Sequence, residues 1–109
     1  MKKDYRIKKS EEFSQIIKEK KHVTNASFVL YYKNKKLDHS RVGISVSRKI
    51  GNAVVRNKIK RQVRMMCQRL IDFNNGIYDY IIIVKNAYLG KSFNDNILDL
   101  EKLIKKVII

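Results

Sequence analysis

The densest run of chemically capable side chains in this sequence is Arg56-Asn57-Lys58-Ile59-Lys60-Arg61-Gln62-Val63-Arg64, and its cations can hold anions. Read as a helix at about 100° per residue, Arg56, Asn57, Lys60, Arg61 and Arg64 share one arc of roughly 140°. Val55, Ile59, Val63, Met66 and Leu70 share the opposite arc of roughly 80°, a stripe that seeks a core. Solvated helix faces usually mix signs, because acid and base four residues apart attract while like charges repel. Arg56/Lys60 and Lys60/Arg64 are like-charge pairs at that spacing, and no acidic residue occurs between Asp38 and Asp72. A face that tolerates this repulsion points to an anionic partner, and nucleic acid is favoured over a merely solvated surface.

Other chemistries are poorly served. Acid–base hydrolysis or Mg²⁺ binding by side chains needs positioned carboxylates or histidines. The ten acids, Asp4, Glu11, Glu12, Glu19, Asp38, Asp72, Asp79, Asp95, Asp99 and Glu101, are scattered and form no close pair inside the basic region. His22 and His39 lie in polar stretches without a neighbouring partner and read as structural or incidental. Met65, Met66 and Cys67 read as fillers of a core or its rim. A lone cysteine forms no internal disulfide, and with two distant histidines it makes a zinc site improbable.

A formal charge of +15, from 25 basic against 10 acidic residues, suits RNA, DNA or an anionic membrane surface. At 44% apolar content the chain is too hydrophobic for a disordered basic tail, and 109 residues suit a single domain over 1–109. The start, Met1-Lys2-Lys3-Asp4-Tyr5, lacks the apolar stretch of a signal peptide, and the run Tyr80 to Val84 is too short to span a bilayer. A cytoplasmic protein is the expectation.

The elements that must position the basic run follow from periodicity. Ser10 reads as the N-cap of a short helix, with Glu11 and Glu12 in its first turn and Phe13, Ile16 and Ile17 on one side. Residues 26–33 alternate as a strand, with Phe28, Leu30 and Tyr32 on one face and Val29, Tyr31 and Lys33 on the other. A second strand, 41–48, turns Val42, Ile44 and Val46 inward. Its other face carries Gly43, Ser45 and Ser47, small enough for a backbone or ligand to approach closely. Asn52 caps the basic helix, whose N-terminus could itself attract phosphate, and the helix ends near Asp72. Residues 77–85 form a nearly continuous apolar strand, expected to be central and covered. Residues 86–91 read as a loop, and Ser92 with Asp95 as a capping box. Phe93, Ile97, Leu100, Ile104 and Val107 mark a closing helix. The order is α-β-β-α-β-α, an α/β (α+β) two-layer sandwich with two helices on one face of a small sheet.

The run Ala53-x-x-Arg56-Asn57-Lys58-Ile59-Lys60-Arg61-x-x-Arg64, with Arg41-Val42-Gly43-Ile44-Ser45-Val46-Ser47-Arg48-Lys49-Ile50-Gly51-Asn52 before it, resembles the signature of the bacterial ribonuclease P protein component. The resemblance implies a small mixed sheet whose parallel βαβ crossover is left-handed, against the usual rule. It implies that the RNA subunit performs Mg²⁺-dependent removal of the 5′ leader from precursor tRNA and that the protein supplies no catalytic residue; Mg²⁺ enters through the RNA subunit, and no metal ligand is assigned to the protein. It assigns RNA binding to Arg56, Asn57, Lys58, Lys60, Arg61 and Arg64, with Arg48 and Lys49 on the approach; Asn52 joins them through the helix N-terminus. A central cleft for the leader falls on Phe13, Ile17, Val29 and Tyr31, and strand alternation adds Lys33 on the side of Val29 and Tyr31. The partners implied are the ribonuclease P RNA, one to one, and precursor tRNA, with no membrane. Stacking on Phe13 or Tyr31 would be indifferent to base identity, although Phe13 reads equally well as core. Ile17 stands where relatives often carry an aromatic, Ala26 where a basic residue is common, and Met65 where an acid is frequent. The alternative is a basic RNA-binding module such as a small ribosomal protein. A DNA-binding module lacks a recognition-helix or zinc spacing here, and a self-sufficient nuclease lacks the carboxylates.

Overall fold

The computed structural model describes residues 1–108. Its helices are α1 (Ser10–Lys18), α2 (Ala53–Leu70) and α3 (Phe93–Ile108); its strands are β1 (His22–Thr24), β2 (Phe28–Asn34), β3 (Val42–Val46) and β4 (Tyr78–Val84). Short 3-10 helices occupy Lys3–Tyr5 and Asn86–Gly90, so the stretch expected as a loop at 86–91 is largely helical. The four strands form one sheet in the order β1-β2-β4-β3. β2 runs antiparallel to β1 and β4, whereas β3 and β4 are parallel and joined through α2. The mixed α/β architecture is as expected, with β4 central.

Strand β1 is the addition. Three residues give too little alternation to register as a strand, and pairing with β2 (His22↔Tyr31, Val23↔Leu30, Thr24↔Val29) creates it. Asn25 Oδ1 accepts from Ser27 N and Phe28 N, closing the turn between β1 and β2. Lys20, at φ 60°, turns the chain out of α1.

The even-numbered residues of β2, β3 and β4 face α2 and α3. Phe28, Leu30, Val42, Val46, Tyr80, Ile82 and Val84 pack there with Ile59, Val63, Met66 and Cys67 of α2 and Leu100, Leu103 and Ile104 of α3. The apolar stripe of α2 is therefore its buried side, with Cys67 added to it and the thiol pushed up to about 12 by burial. Helix α1 does not join that layer. Alternation along a strand puts odd and even residues on opposite faces, and α1 lies on the odd one. There Ile16, Phe13 and Ile17 pack with Ile7, Tyr31, Ile81 and Ile83 in a second, smaller cluster. The sheet is thus covered fully on one side and partly on the other, rather than on one side alone.

Polar anchoring completes the assembly. Arg41 and Asp79 are buried, at 8% and 2% exposure. Arg41 Nη2 donates to Asp79 Oδ2 (3.0 Å) and to Glu12 Oε2 on α1 (2.7 Å). The hydrogen bond from Arg41 holds the Glu12 carboxyl below its ordinary range. Ser27, fully buried, lies within hydrogen-bond reach of Asn96 Oδ1 (2.8 Å) and Asp99 Oδ2 (2.9 Å), fastening α3 to the β1–β2 turn. Ser92 Oγ accepts from Asp95 N, the expected cap of α3, whereas Ser10 is the first residue of α1 and Lys9 sits at its N-cap with no side-chain bond.

Candidate nucleic-acid interface

With one side of α2 sealed against the sheet, its cations are forced outward. Asn52 Oδ1 accepts from Val55 N (3.1 Å), fixing the helix start, so the carbonyl end of this side chain is committed to the cap. Arg56 Nε donates to Gly51 O (3.2 Å), which leans that guanidinium over the first turn. Asn57, Lys58 and Arg61 are exposed, and Arg56, Lys60 and Arg64 are half-buried. Among the described residues, no carboxylate is ion-paired with Arg48, Lys49, Arg56, Lys58, Lys60, Arg61 or Arg64; the acids pair elsewhere, as in Arg41–Glu12 and Lys91–Asp99. The cations spread around the exposed side of α2 rather than forming one line. Lys58 sits on the flank beside Gln62, Tyr88 and Lys91. Asn57 and Arg61 form the crest. Lys60 and Arg64 lie on the other flank, beside Arg6 and Lys8. Arg48 and Lys49 are exposed on the turn that leads into the helix.

On the odd face of the sheet, strand register arranges the expected cleft residues in rows. One row reads Gly43, Ile81, Tyr31, His22 across the four strands. The Phe13 ring stands on Gly43: a Cβ there would lie 2.5 Å from Phe13 Cζ. The small residue admits an aromatic ring of the chain itself. At the far end, the His22 and Tyr31 rings lie 5.1 Å apart. The next row reads Ser45, Ile83, Val29, Thr24, and α1 leaves it open: the first three are half-buried and Thr24 is exposed. This open row is a shallow floor, bounded by Phe13, Ile17 and Tyr31.

The structure therefore brings Phe13, Ile17 and Tyr31 into one cluster, with Val29 one row away. Lys33 is set apart. It lies beside Glu19, with Nζ 4.0 Å from Oε1, and lines a separate hollow of about 360 Å³ with Glu12, Gln15 and Arg41. Both side chains of that pair are exposed, at 37% and 43%, and Lys33 stands beside α1 rather than along the open row. Ile83 was hidden in an apolar run whose outward member periodicity could not single out. His22 has no partner nearby in sequence, and its neighbour Tyr31 comes from the adjacent strand.

His39 has a structural place: Nε2 lies 2.8 Å from Asp4 O and Nδ1 2.9 Å from Asp38 Oδ1. These acceptors, the Asp4 carbonyl first, raise its pKa above the ordinary value. Among the described residues no group of three His, Cys, Asp or Glu side chains is placed to hold a metal ion, and no helix is long and apolar enough to cross a membrane.

The family model described as Ribonuclease P matches residues 1–108. A ribonuclease P protein component from Mesoplasma florum is 43% identical over 94% of this chain and 94% of its own length. One from Streptococcus agalactiae is 48% identical over 77% of this chain and 74% of its own. Among solved structures, an RNase P protein mutant from Staphylococcus aureus, with defective mRNA degradation activity, superposes with a TM-score of 0.86 at 40% identity, covering 96% of this chain and 89% of the other. The RNase P protein from Thermotoga maritima gives 0.79 at 31% identity, covering 93% and 96%.

Proposed function

This chain belongs to the ribonuclease P protein family, and on that premise we propose that it is the non-catalytic protein subunit of a ribonucleoprotein endonuclease, working in the cytoplasm. It binds one ribonuclease P RNA through the outward cations of α2, chiefly Arg56, Lys60, Arg61 and Arg64, with Arg48 and Lys49 on the approach. The single-stranded 5′ leader of precursor tRNA lies along the open row of the opposite face. The observation that carries the reading is the α2 surface. It is a dense set of cations without a paired carboxylate, held rigidly by a helix whose other side is core.

What these residues do follows from their chemistry. Arg and Lys side chains neutralise phosphates of two polyanions that must approach each other, so less Mg²⁺ is needed to screen them. Tyr31 and Phe13 offer ring faces on which bases stack irrespective of identity, and Val29 and Ile83 give an apolar floor. Hydrolysis belongs to the RNA subunit and its Mg²⁺. The protein's part is to bind and to orient.

Reconstitution tests this. The full chain, mixed with a bacterial ribonuclease P RNA and precursor tRNA at low Mg²⁺, raises cleavage at the mature 5′ end above the rate with RNA alone. Without the RNA subunit it leaves the substrate intact at any Mg²⁺ concentration. Cleavage at that position by nuclease-free protein alone would overturn the reading, as would a holoenzyme no faster than its RNA.

A further inference from the structure

The flank of α2 that turns away from the N-terminal segment carries a recess of a different kind. Val55, Ile59 and Gln62 follow one another at spacings of four and three, so they stack along one side of the helix. Opposite them the 3-10 helix Asn86–Gly90 brings up Tyr88 and Leu89. Together they enclose a hollow of about 270 Å³, which Lys58 and Lys91 also line. That volume is about nine water molecules' share of liquid. It has room for one purine ring system and not for a paired helix.

The lining combines apolar walls with one oriented amide. Leu89 is 54% exposed, and Val54, one turn before Lys58, is 77% exposed, so large apolar side chains lie open beside a cation. The Tyr88 ring is buried edge-on against Phe28, with centroids 5.7 Å apart. Burial pushes its hydroxyl up to about 12. It therefore stays protonated, and it donates to Gln62 Oε1 at 2.7 Å. This bond turns the amide: Oε1 faces Tyr88 and keeps a second lone pair, while Nε2 meets no acceptor among the described residues. An amide held in this way offers a donor and an acceptor side by side, which complements the N7 and N6 positions of adenine. Apolar walls for the faces of a base and a polar group for its edge are what a site for an unstacked base requires. Of the two cations, Lys91 is tied to Asp99 Oδ2 at 2.7 Å, whereas Lys58 is exposed and available to a phosphate.

We propose that this recess takes one unstacked adenine of the ribonuclease P RNA, with its face against Val55 and Leu89, its N7 and N6 edge on the Gln62 amide and its phosphate beside Lys58. The assignment rests on the reading of α2 as the surface facing the RNA subunit. It gives that surface a contact that reads a base, where the cations alone would hold phosphates and carry no sequence information.

The test has two parts, both with the full chain and ribonuclease P RNA. The first measures affinity against salt for Leu89→Ser, for the double variant Gln62→Leu/Tyr88→Phe, and for Arg61→Gln on the crest. The double variant removes both hydrogen-bonding partners, so neither is left orphaned in the fold. Leu89→Ser is expected to lower affinity about five- to tenfold, and the double variant roughly five- to a hundredfold. Neither changes a charge, so the slope of log K against log salt stays as in wild type, whereas Arg61→Gln shrinks it by about 0.7–0.9. The second part scatters 7-deazaadenosine through the RNA subunit and selects the molecules that still bind. One adenine is expected at which the missing N7 weakens binding to wild type and not to the double variant. Thermal melting checks the fold, and this interference map carries the test alone if Leu89→Ser melts early. Unchanged affinity for folded Leu89→Ser, or the same interference map for wild type and the double variant, would overturn the site; with Arg61→Gln impaired, the function would stand. If Arg61→Gln is unimpaired too, both fall. Interference by 7-deazaguanosine in place of the adenine analogue would overturn the choice of base. A loss seen only with precursor tRNA would overturn the choice of RNA.

Discussion

The two faces of the sheet build their proposed binding surfaces in opposite ways. On the even face, α2 separates its tasks by direction: Ile59, Val63, Met66 and Cys67 point into the main core, and the cations point out. On the odd face the same residues serve both tasks. Phe13, Ile17 and Tyr31 are the surface proposed for a single strand and also most of what holds α1 down, helped by the Glu12–Arg41–Asp79 bonds. Binding and stability should therefore come apart under mutation on α2 and stay coupled in the cleft.

The contrast is broken most violently within α2. Ile59→Asp puts an unpaired charge into the main core. It is expected to remove about 4–5 kcal/mol or more, a large share of a typical stability of roughly 5–15 kcal/mol, leaving a chain without cooperative melting. One residue further on, Lys60→Ala should melt normally and bind ribonuclease P RNA more weakly at low salt. A Lys60→Ala variant as unstable as Ile59→Asp would erase the division of faces.

Next in size is Arg41→Met. It removes the ion-pair partner of buried Asp79, which keeps only the backbone N–H of residue 41, a loss of about 3–5 kcal/mol, and it loosens α1. Glu12→Gln is milder because Glu12 stands at the rim. Since Arg41 lowers the Glu12 pKa, the stability from this pair is full above the unfolded carboxylate's pKa and is lost as pH falls through the lowered folded value. Denaturant midpoints of wild type and Glu12→Gln should converge on acidification. Midpoints that stay apart at acid pH would place the effect elsewhere.

Cleft substitutions come third. Gly43→Ala forces the Phe13 ring off its seat, an overpacking of about 1–3 kcal/mol, and should lower melting and precursor tRNA affinity together. Tyr31→Ala removes a stacking surface typically worth about 1–3 kcal/mol. It should weaken leader-bearing precursor by roughly five- to a hundredfold while sparing mature tRNA. Equal losses for both substrates, with the variant folded, would mean that Tyr31 touches no leader. Ile17→Phe sharpens the same point: a restored ring should tighten precursor binding alone.

The smallest effect lies away from both faces. The raised pKa of His39 means that its bonds to Asp4 O and Asp38 add stability fully below the unfolded histidine pKa, and that this is lost as pH rises through the folded value. Wild type should lose a slight stability advantage over His39→Asn as pH rises from the unfolded histidine pKa of about 6.5 through the higher folded one. An advantage that is flat with pH would show that neutral imidazole suffices.

Much of this was legible in the chain. The two faces of α2, the Asn52 cap, the Ser92 cap of α3 and the central apolar strand are set by spacings of two to four residues, which local geometry converts directly into direction. So was the inward turn of Val42 and Val46 opposite Gly43. Fold class and the basic surface followed from these short-range patterns.

What only the tertiary structure decided depends on register between distant segments. Periodicity says that α1 has an apolar side but not which face of the sheet receives it. That choice follows from Gly43 leaving room for Phe13 and from Arg41 and Asp79 presenting a buried charge to Glu12. Strand β1 exists because β2 pairs with it, and Lys33 and Glu19 meet because α1 crosses the sheet where it does. Arg6 and Lys8 stand beside Lys60 and Arg64 because a bridge to Val42 carries the N-terminal segment along β3. No local spacing records a neighbour more than fifty residues away. Only burial and strand pairing over the whole chain bring such charges together.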